Sequence, residues 1–217
     1  MQIKIIGILL FFVASSTSAF SQKFKFGIHA TPTINFVSTD METAETGAAL
    51  KFGFGGLIEY RFTDRYAISS GFEIMNTGGT LTAPGPNIND VTEEIEADYN
   101  VGFLQFPVGL RMRTREFGYL TYMAEFGLVP GFRTSDGATF TPDLQEDAKP
   151  ETYVNFFNTL FRFGLGLEYS LGGESSLLVG LNYNRSLIDN IKAEDPRLTK
   201  EFDYRFDYVA LTVGFLF

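Results

Sequence analysis

KFKFGIHATPTINF, residues 23–36, alternates apolar and polar side chains without a slip. Positions 24, 26, 28, 30, 32, 34 and 36 hold Phe, Phe, Ile, Ala, Pro, Ile and Phe. Positions 23, 25, 27, 29, 31, 33 and 35 hold Lys, Lys, Gly, His, Thr, Thr and Asn. Successive side chains of a strand point to opposite faces, so this stretch reads as a strand with one greasy side and one polar side. The rhythm returns over residues 50–62, 66–77, 99–113, 119–133, 156–169, 176–187 and 204–217. Most of these runs exceed the ~9–11 residues that cross a bilayer at a tilt.

The connections alternate in length. Residues 63–65, 114–118 and 171–175 are tight turns, whereas 37–49, 78–98, 134–151 and 188–203 are long and polar. Short periplasmic turns alternating with long external loops predict an all-β, closed, eight-stranded antiparallel transmembrane barrel of the outer-membrane type. Both ends of the mature chain then lie in the periplasm. An even strand count closes the sheet without an edge, which lipid does not tolerate. Within the second long loop, Pro84-Gly85-Pro86-Asn87 reads as a turn. Residues 91–99 either extend the fourth strand above the membrane or form a short helix.

Ahead of the first strand, Lys4, the apolar run 5–13 and the small residues before Phe20 read as a secretory signal. Cleavage after Ala19 or Ser21 fits, giving a signal segment over 1–21 and a barrel domain over 22–217. Past that segment, no run approaches the ~18 uninterrupted apolar residues of a membrane helix. The chain has no Cys, which excludes disulfides, thiolate metal sites, a cysteine nucleophile and a lipoprotein-type anchor.

Alternation alone does not say which face points outward, and a lipocalin-like barrel with a greasy interior has the same rhythm. Volume decides. An eight-stranded barrel has an interior just wide enough for its own side chains. Roughly five to seven large apolar residues per strand do not fit there beside a ligand. The opposite parity carries small residues such as Gly27, Gly53, Gly55, Gly71, Gly127, Gly164, Gly166 and Gly214. That side is the lumen.

Lumen parity also carries Glu59, Glu73, Glu125 and Glu168 against Arg61, Arg111, Arg113 and Arg162. Buried charges persist when paired, and the guanidinium fork suits a carboxylate. Counted from the tight turns, Glu59, Arg61, Arg111, Arg113 and Glu168 lie low, and Glu73, Glu125 and Arg162 near mid-height. Glu125 and Arg162 are the most specific expected pair. A balanced ionic plug predicts a lumen that does not conduct.

His29, the single histidine, could act as a general base with Ser69, Ser70 or Ser186 as nucleophile, as in outer-membrane lipid hydrolases. Ser70 shares the lipid-facing parity while His29 does not, so a lumen-lining polar His is the expectation and no catalytic residue is assigned. The long loops are acidic: the first three hold Asp40, Glu42, Glu45, Asp90, Glu93, Glu94, Glu96, Asp98, Asp136, Asp143, Glu146, Asp147 and Glu151 against Lys149. Carboxylates suit Ca²⁺, but no twelve-residue calcium loop is present, so neither a metal nor a cofactor is expected. The net charge of −9 argues against nucleic acid. It favours lipopolysaccharide bridged by divalent cations, or an envelope protein with a basic patch. Phe36, Phe132, Tyr183, Tyr204 and Phe206 fall near the outer ends of strands; Tyr60, Phe62, Tyr66, Tyr122 and Tyr169 fall near the inner turns. These read as two aromatic girdles.

With the strands placed, the mature chain resembles the PorT-type outer-membrane β-barrel family of Bacteroidota. The resemblance is carried by FKFGIHATPTINF, GFGGLIEYRFTDRYAISSGFEI, FLQFPVGLRMR, LEYSLGGESSLLVGLNYN and the terminal GFLF. It implies a barrel architecture and offers no catalytic residues to carry over. The expected work is envelope structure or partner binding. The resemblance allows an accessory role in type IX-like secretion or transport, and lipid modification through His29 is the third reading.

Overall fold

In a computed structural model, residues 23–41, 44–86, 92–142, 154–191 and 203–217 are described. The signal segment over 1–21, with both candidate cleavage points, lies outside them. Ten strand segments follow in chain order: β1 (Phe24–Thr39), β2 (Glu45–Arg61), β3 (Tyr66–Pro86), β4 (Thr92–Gln105), β5 (Val108–Arg113), β6 (Leu120–Ser135), β7 (Ala138–Thr141), β8 (Phe157–Gly172), β9 (Ser175–Ser186) and β10 (Tyr204–Leu216). Each pairs antiparallel with its neighbours, and β1 pairs with both β2 and β10, so the sheet closes on itself. At the closing seam Phe26 and Phe217 exchange backbone hydrogen bonds of 3.0 and 2.8 Å. Both ends of the barrel domain therefore lie at the tight-turn end.

The wall has eight strands, because β4 and β5 are one wall strand in two pieces. Glu73 pairs with Gln105 and Ser70 with Val108 in a single register. The expected continuous strand over 99–113 is interrupted at Phe106-Pro107. Pro107 has no N–H for the ladder, which breaks the strand there without shifting it. Around the wall the greasy parity faces out: Phe26, Phe54, Ile74, Phe126, Phe163, Leu165, Leu181 and Val213 are all exposed. Inward parity is buried and often glycine. A side chain at Gly53 would strike Met75, and one at Gly214 would meet His29 Cβ at 2.9 Å.

Above the apolar band the strands continue further than expected. β1 and β2 run to Thr39 and from Glu45, leaving residues 40–44 where a thirteen-residue loop, 37–49, was expected. β3 and β4 stay paired from Glu73–Gln105 to Pro86–Thr92. Pro84, Gly85 and Pro86 therefore belong to a strand and not to a turn, and residues 92–99 are strand and not helix. After a one-residue bulge at Thr134 of β6, opposite Gly102 and Phe103, β7 resumes the pairing of β6 along β4. Gly78 and Gly79 take positive φ of 145° and 153° within β3, and a side chain at Gly78 would strike the Tyr99 carbonyl. The β2–β3 ladder lapses beside them, between Gly47 and Gly53.

Over this extension the chemistry of the two faces changes places. Outward positions are Thr80, Thr82, Glu94, Glu96, Asp98 and Asn100. Inward positions are Leu81, Ile95, Ala97, Tyr99 and Val101, packed with Val37, Phe140, Val154, Ile191, Tyr204 and Phe206 in one apolar core. Phe206 and Tyr204 were expected in an outer girdle; they share the inward parity of Tyr208 and Ala210 and are fully buried. Phe132, Tyr183, Phe62, Tyr66, Tyr122 and Tyr169 do lie exposed on the outer wall. Ile95→Val is expected to cost ~1 kcal/mol of stability and Glu96→Gln a few tenths at most. Urea unfolding of the folded protein in detergent checks the difference.

Candidate functional site

The lumen below that apolar core is ionic. Glu59 on β2 is fully buried and accepts three guanidinium hydrogen bonds. Arg61 Nε and Arg113 Nη1 each reach Oε1 at 2.6 Å, and Arg111 Nη1 reaches Oε2 at 2.7 Å. Arg111 also turns its Nε to Glu125 Oε2 at 2.7 Å, so it bridges two carboxylates. Arg113 pairs with Glu168, which accepts from Ser176 Oγ at 2.6 Å and lies 3.4 Å from Arg61. Local register explains much of this. Glu59 and Arg61 sit two residues apart on one face of β2, and Arg111 stands directly opposite Glu125 across the β5–β6 ladder.

A second cluster spans the barrel. Arg162 donates Nη1 and Nη2 to Glu73 Oε1 and Oε2 at 2.8 and 2.6 Å. Its Nε donates to Asn184, its cross-strand partner, at 2.7 Å. The planar fork fills both carboxylate oxygens, an arrangement a lysine could not make. This corrects the expected Glu125–Arg162 pair. Those two are diagonal neighbours, since Glu125 opposes Gly164 and Arg162 opposes Gly127. Directly opposite side chains lie closer than diagonal ones, so Glu125 takes Arg111 and joins the lower cluster. Arg162 crosses to Glu73, three wall strands away.

Between the ionic clusters and the upper core lies a belt of Met75, Val129, Leu160, Tyr208 and Ala210. Tyr208 donates to Gln105 Oε1 at 3.0 Å, and Thr77 donates to Asn35 Oδ1 at 2.9 Å. Below, at the tight-turn end, an open cavity of about 450 Å³ is lined by Lys25, Arg65, Arg113, Arg115, Glu116 and Glu168, among others, and ends on the ion pairs. Sequence reasoning missed the apolar core and belt. The signal was present: the inward parity of β10 continues upward through Tyr208, Phe206 and Tyr204.

His29 is buried on the lumen side, and its Nε2 lies 3.5 Å from Glu73 Oε1 without a hydrogen bond. Ser69 donates its hydroxyl to the Gly109 carbonyl at 3.4 Å. Ser186 Oγ bonds Asn158 Oδ1 at 2.8 Å and the Ile188 carbonyl at 2.9 Å. Neither serine is placed with His29 by a hydrogen bond. Of the loop acids, Asp136 pairs with Arg133 at 2.6 Å, and the side chains of Glu42, Asp90, Glu93, Asp143, Glu146, Asp147 and Glu151 lie outside the described residues. Lys149 does too. Among the described residues no group of three His, Asp or Glu side chains could hold a metal ion.

A family model for the outer membrane protein β-barrel domain matches residues 15–192. Among solved structures, the outer membrane protein OprG of Pseudomonas aeruginosa is similar at 11% identity and a TM-score of 0.55, covering 89% of this chain and 94% of that one. Ail of Yersinia pestis matches at 14% identity and a TM-score of 0.46, covering 90% of this chain and 99% of that one. The N-terminal β-barrel domain of OprF from Pseudomonas aeruginosa matches at 15% identity and a TM-score of 0.43, covering 89% and 97%. No curated protein matches the chain.

Proposed function

Because the chain belongs to the outer membrane protein β-barrel domain family, we propose that this outer-membrane barrel is a non-conducting envelope protein that binds a partner through its acidic cap. In this reading the tight turns face the periplasm and the β3–β4 extension stands outside the cell. The lumen residues Glu59, Arg61, Glu73, Arg111, Arg113, Glu125, Arg162 and Glu168 serve as a plug that replaces a hydrophobic core. One observation carries the reading: the lumen is filled at successive heights by ion pairs, then by Met75, Leu160 and Tyr208, then by the core around Tyr99 and Phe206. Water meets an apolar barrier above the charged layers. The β3–β4 extension presents Glu94, Glu96 and Asp98 on one face, which suits a basic partner or cations shared with lipopolysaccharide.

In planar bilayers the purified protein is expected to give no sustained single-channel steps. Steps that disappear in Glu125→Gln would overturn the plug. An accessory role in a secretion or transport assembly is favoured by a different feature, the charged mouth around Arg65 and Arg115. Such a role predicts a stoichiometric partner in detergent extracts, which pull-down and mass spectrometry would reveal. A lipid-modifying role for His29 needs a hydroxyl nucleophile beside it. His29→Ala is expected to leave the cell's lipid profile unchanged.

A further inference from the structure

Lys25 lines the open cavity of about 450 Å³ at the tight-turn end, and its charge is only loosely balanced. In the lower ionic cluster Glu59, Glu125 and Glu168 already match Arg61, Arg111 and Arg113 one for one. Lys25 stands opposite Glu59 across the β1–β2 ladder, yet the Glu59 carboxylate is taken by the three guanidiniums. The Lys25 ammonium donates instead to the Glu174 backbone carbonyl. The Glu174 carboxylate lies 4.0 Å away and is 61% exposed, whereas the Lys25 side chain is 10% exposed. A pair with so exposed a carboxylate contributes little. An ammonium carries three donors, and a charge buried this far calls for close acceptors.

Arg61 and Arg113 line the same cavity, and the Glu168 carboxylate among them already accepts from Arg113 and Ser176. On the exposed turns at the opening, Asp64, Glu116 and Glu174 outnumber Arg65 and Arg115. Thr121, Ser170 and Ser175 add hydroxyls to the lining. We propose that this cavity binds a small hydroxylated monocarboxylate of the sugar-acid class. Its carboxylate lies against Lys25 and Arg61, and its hydroxyls meet Thr121, Ser170 and Ser175. One surplus positive charge suits one carboxylate, and the acids of the turns repel a polyanion. A lining of charges and hydroxyls favours a polar body over an apolar one. The volume falls within the roughly 300–1,000 Å³ of small-molecule sites. This cavity and the acidic cap lie at opposite ends of the barrel, so binding here neither needs nor excludes a partner there.

Equilibrium dialysis of the folded protein in nonionic detergent against radiolabelled glucuronate tests this, with glucose and sulfate as competitors. Saturable binding of glucuronate is expected, displaced poorly by glucose, which lacks the carboxylate, and by sulfate, which lacks the hydroxyls. Lys25→Met keeps most of the stem and removes the charge, and is expected to weaken binding about tenfold or more, the loss of a charge-assisted hydrogen bond. Lys25→Arg is expected to retain it. Thr121, opposite Glu168 across the β6–β8 ladder, lines the cavity. Thr121→Phe narrows the cavity without changing any charge, is expected to weaken binding as well, and carries the test if Lys25→Met does not fold. Absence of saturable glucuronate binding would overturn the proposal. Equal affinity in the native protein and these two variants would overturn it too, as would displacement by glucose or sulfate as effective as by unlabelled glucuronate.

Discussion

Arg111→Met is expected to destabilise the folded barrel by ~3–5 kcal/mol, because it leaves buried carboxylate charge without its partner. Arg111 is the bridge of the lower cluster. Without it Glu59 keeps Arg61 and Arg113, but Glu125 loses both of its guanidinium hydrogen bonds. Breaking one side of a buried pair costs more than replacing both sides with apolar groups of similar volume. Arg111→Met combined with Glu125→Leu is therefore expected to recover a large part of the loss. Exposed Arg115 provides the control, and its replacement by Met should change stability by no more than ~0.5 kcal/mol. Urea unfolding in lipid vesicles, followed by tyrosine fluorescence and heat-dependent gel mobility, measures all three. A loss below ~1 kcal/mol for Arg111→Met, the size typical of solvent-exposed ion pairs, would mean that water already reaches the cluster.

Phe126→Arg is the second large expectation. Phe126 lies on the outer wall opposite Leu110 on one side and Phe163 on the other, all three on the lipid-facing parity. A guanidinium placed there costs ~2–4 kcal/mol if the position is near the bilayer midplane, and less toward either surface. Folding yield into preformed vesicles should fall accordingly. Leu165→Arg, on the adjacent strand, should behave alike. Normal assembly of both variants would mean that hydrocarbon touches the other face of the wall.

Alternation was enough to place the eight wall strands, since its period does not depend on which strand pairs with which. Facing followed from volume, as the glycines on one parity and the phenylalanines on the other left a single consistent choice. Pairing inside the lumen was less legible. Glu59 with Arg61 is local in sequence and Arg111 with Glu125 is local in the ladder, but Glu73 with Arg162 depends on the diameter of the closed ring. Height counted from the turns does not contain that distance. The apolar core around Tyr99 and Phe206 is hidden for another reason: long polar connections read as the ends of the strands. In β4 the alternation in fact persists through Ile95, Ala97 and Tyr99, with only the polarity of the outer face changed.

That change at Gly78 and Gly79 also works as a waterline. Below it the wall shows Ile74, Phe72 and Leu104 to its surroundings, and above it Asn100, Asp98 and Glu96. Sinking by two residues along a strand, about 5 Å of height once tilt is allowed for, would draw Asn100 and then Asp98 toward hydrocarbon. Rising by as much would lift phenyl rings into water. The molecule therefore has one resting depth. A membrane of different thickness must deform to meet it.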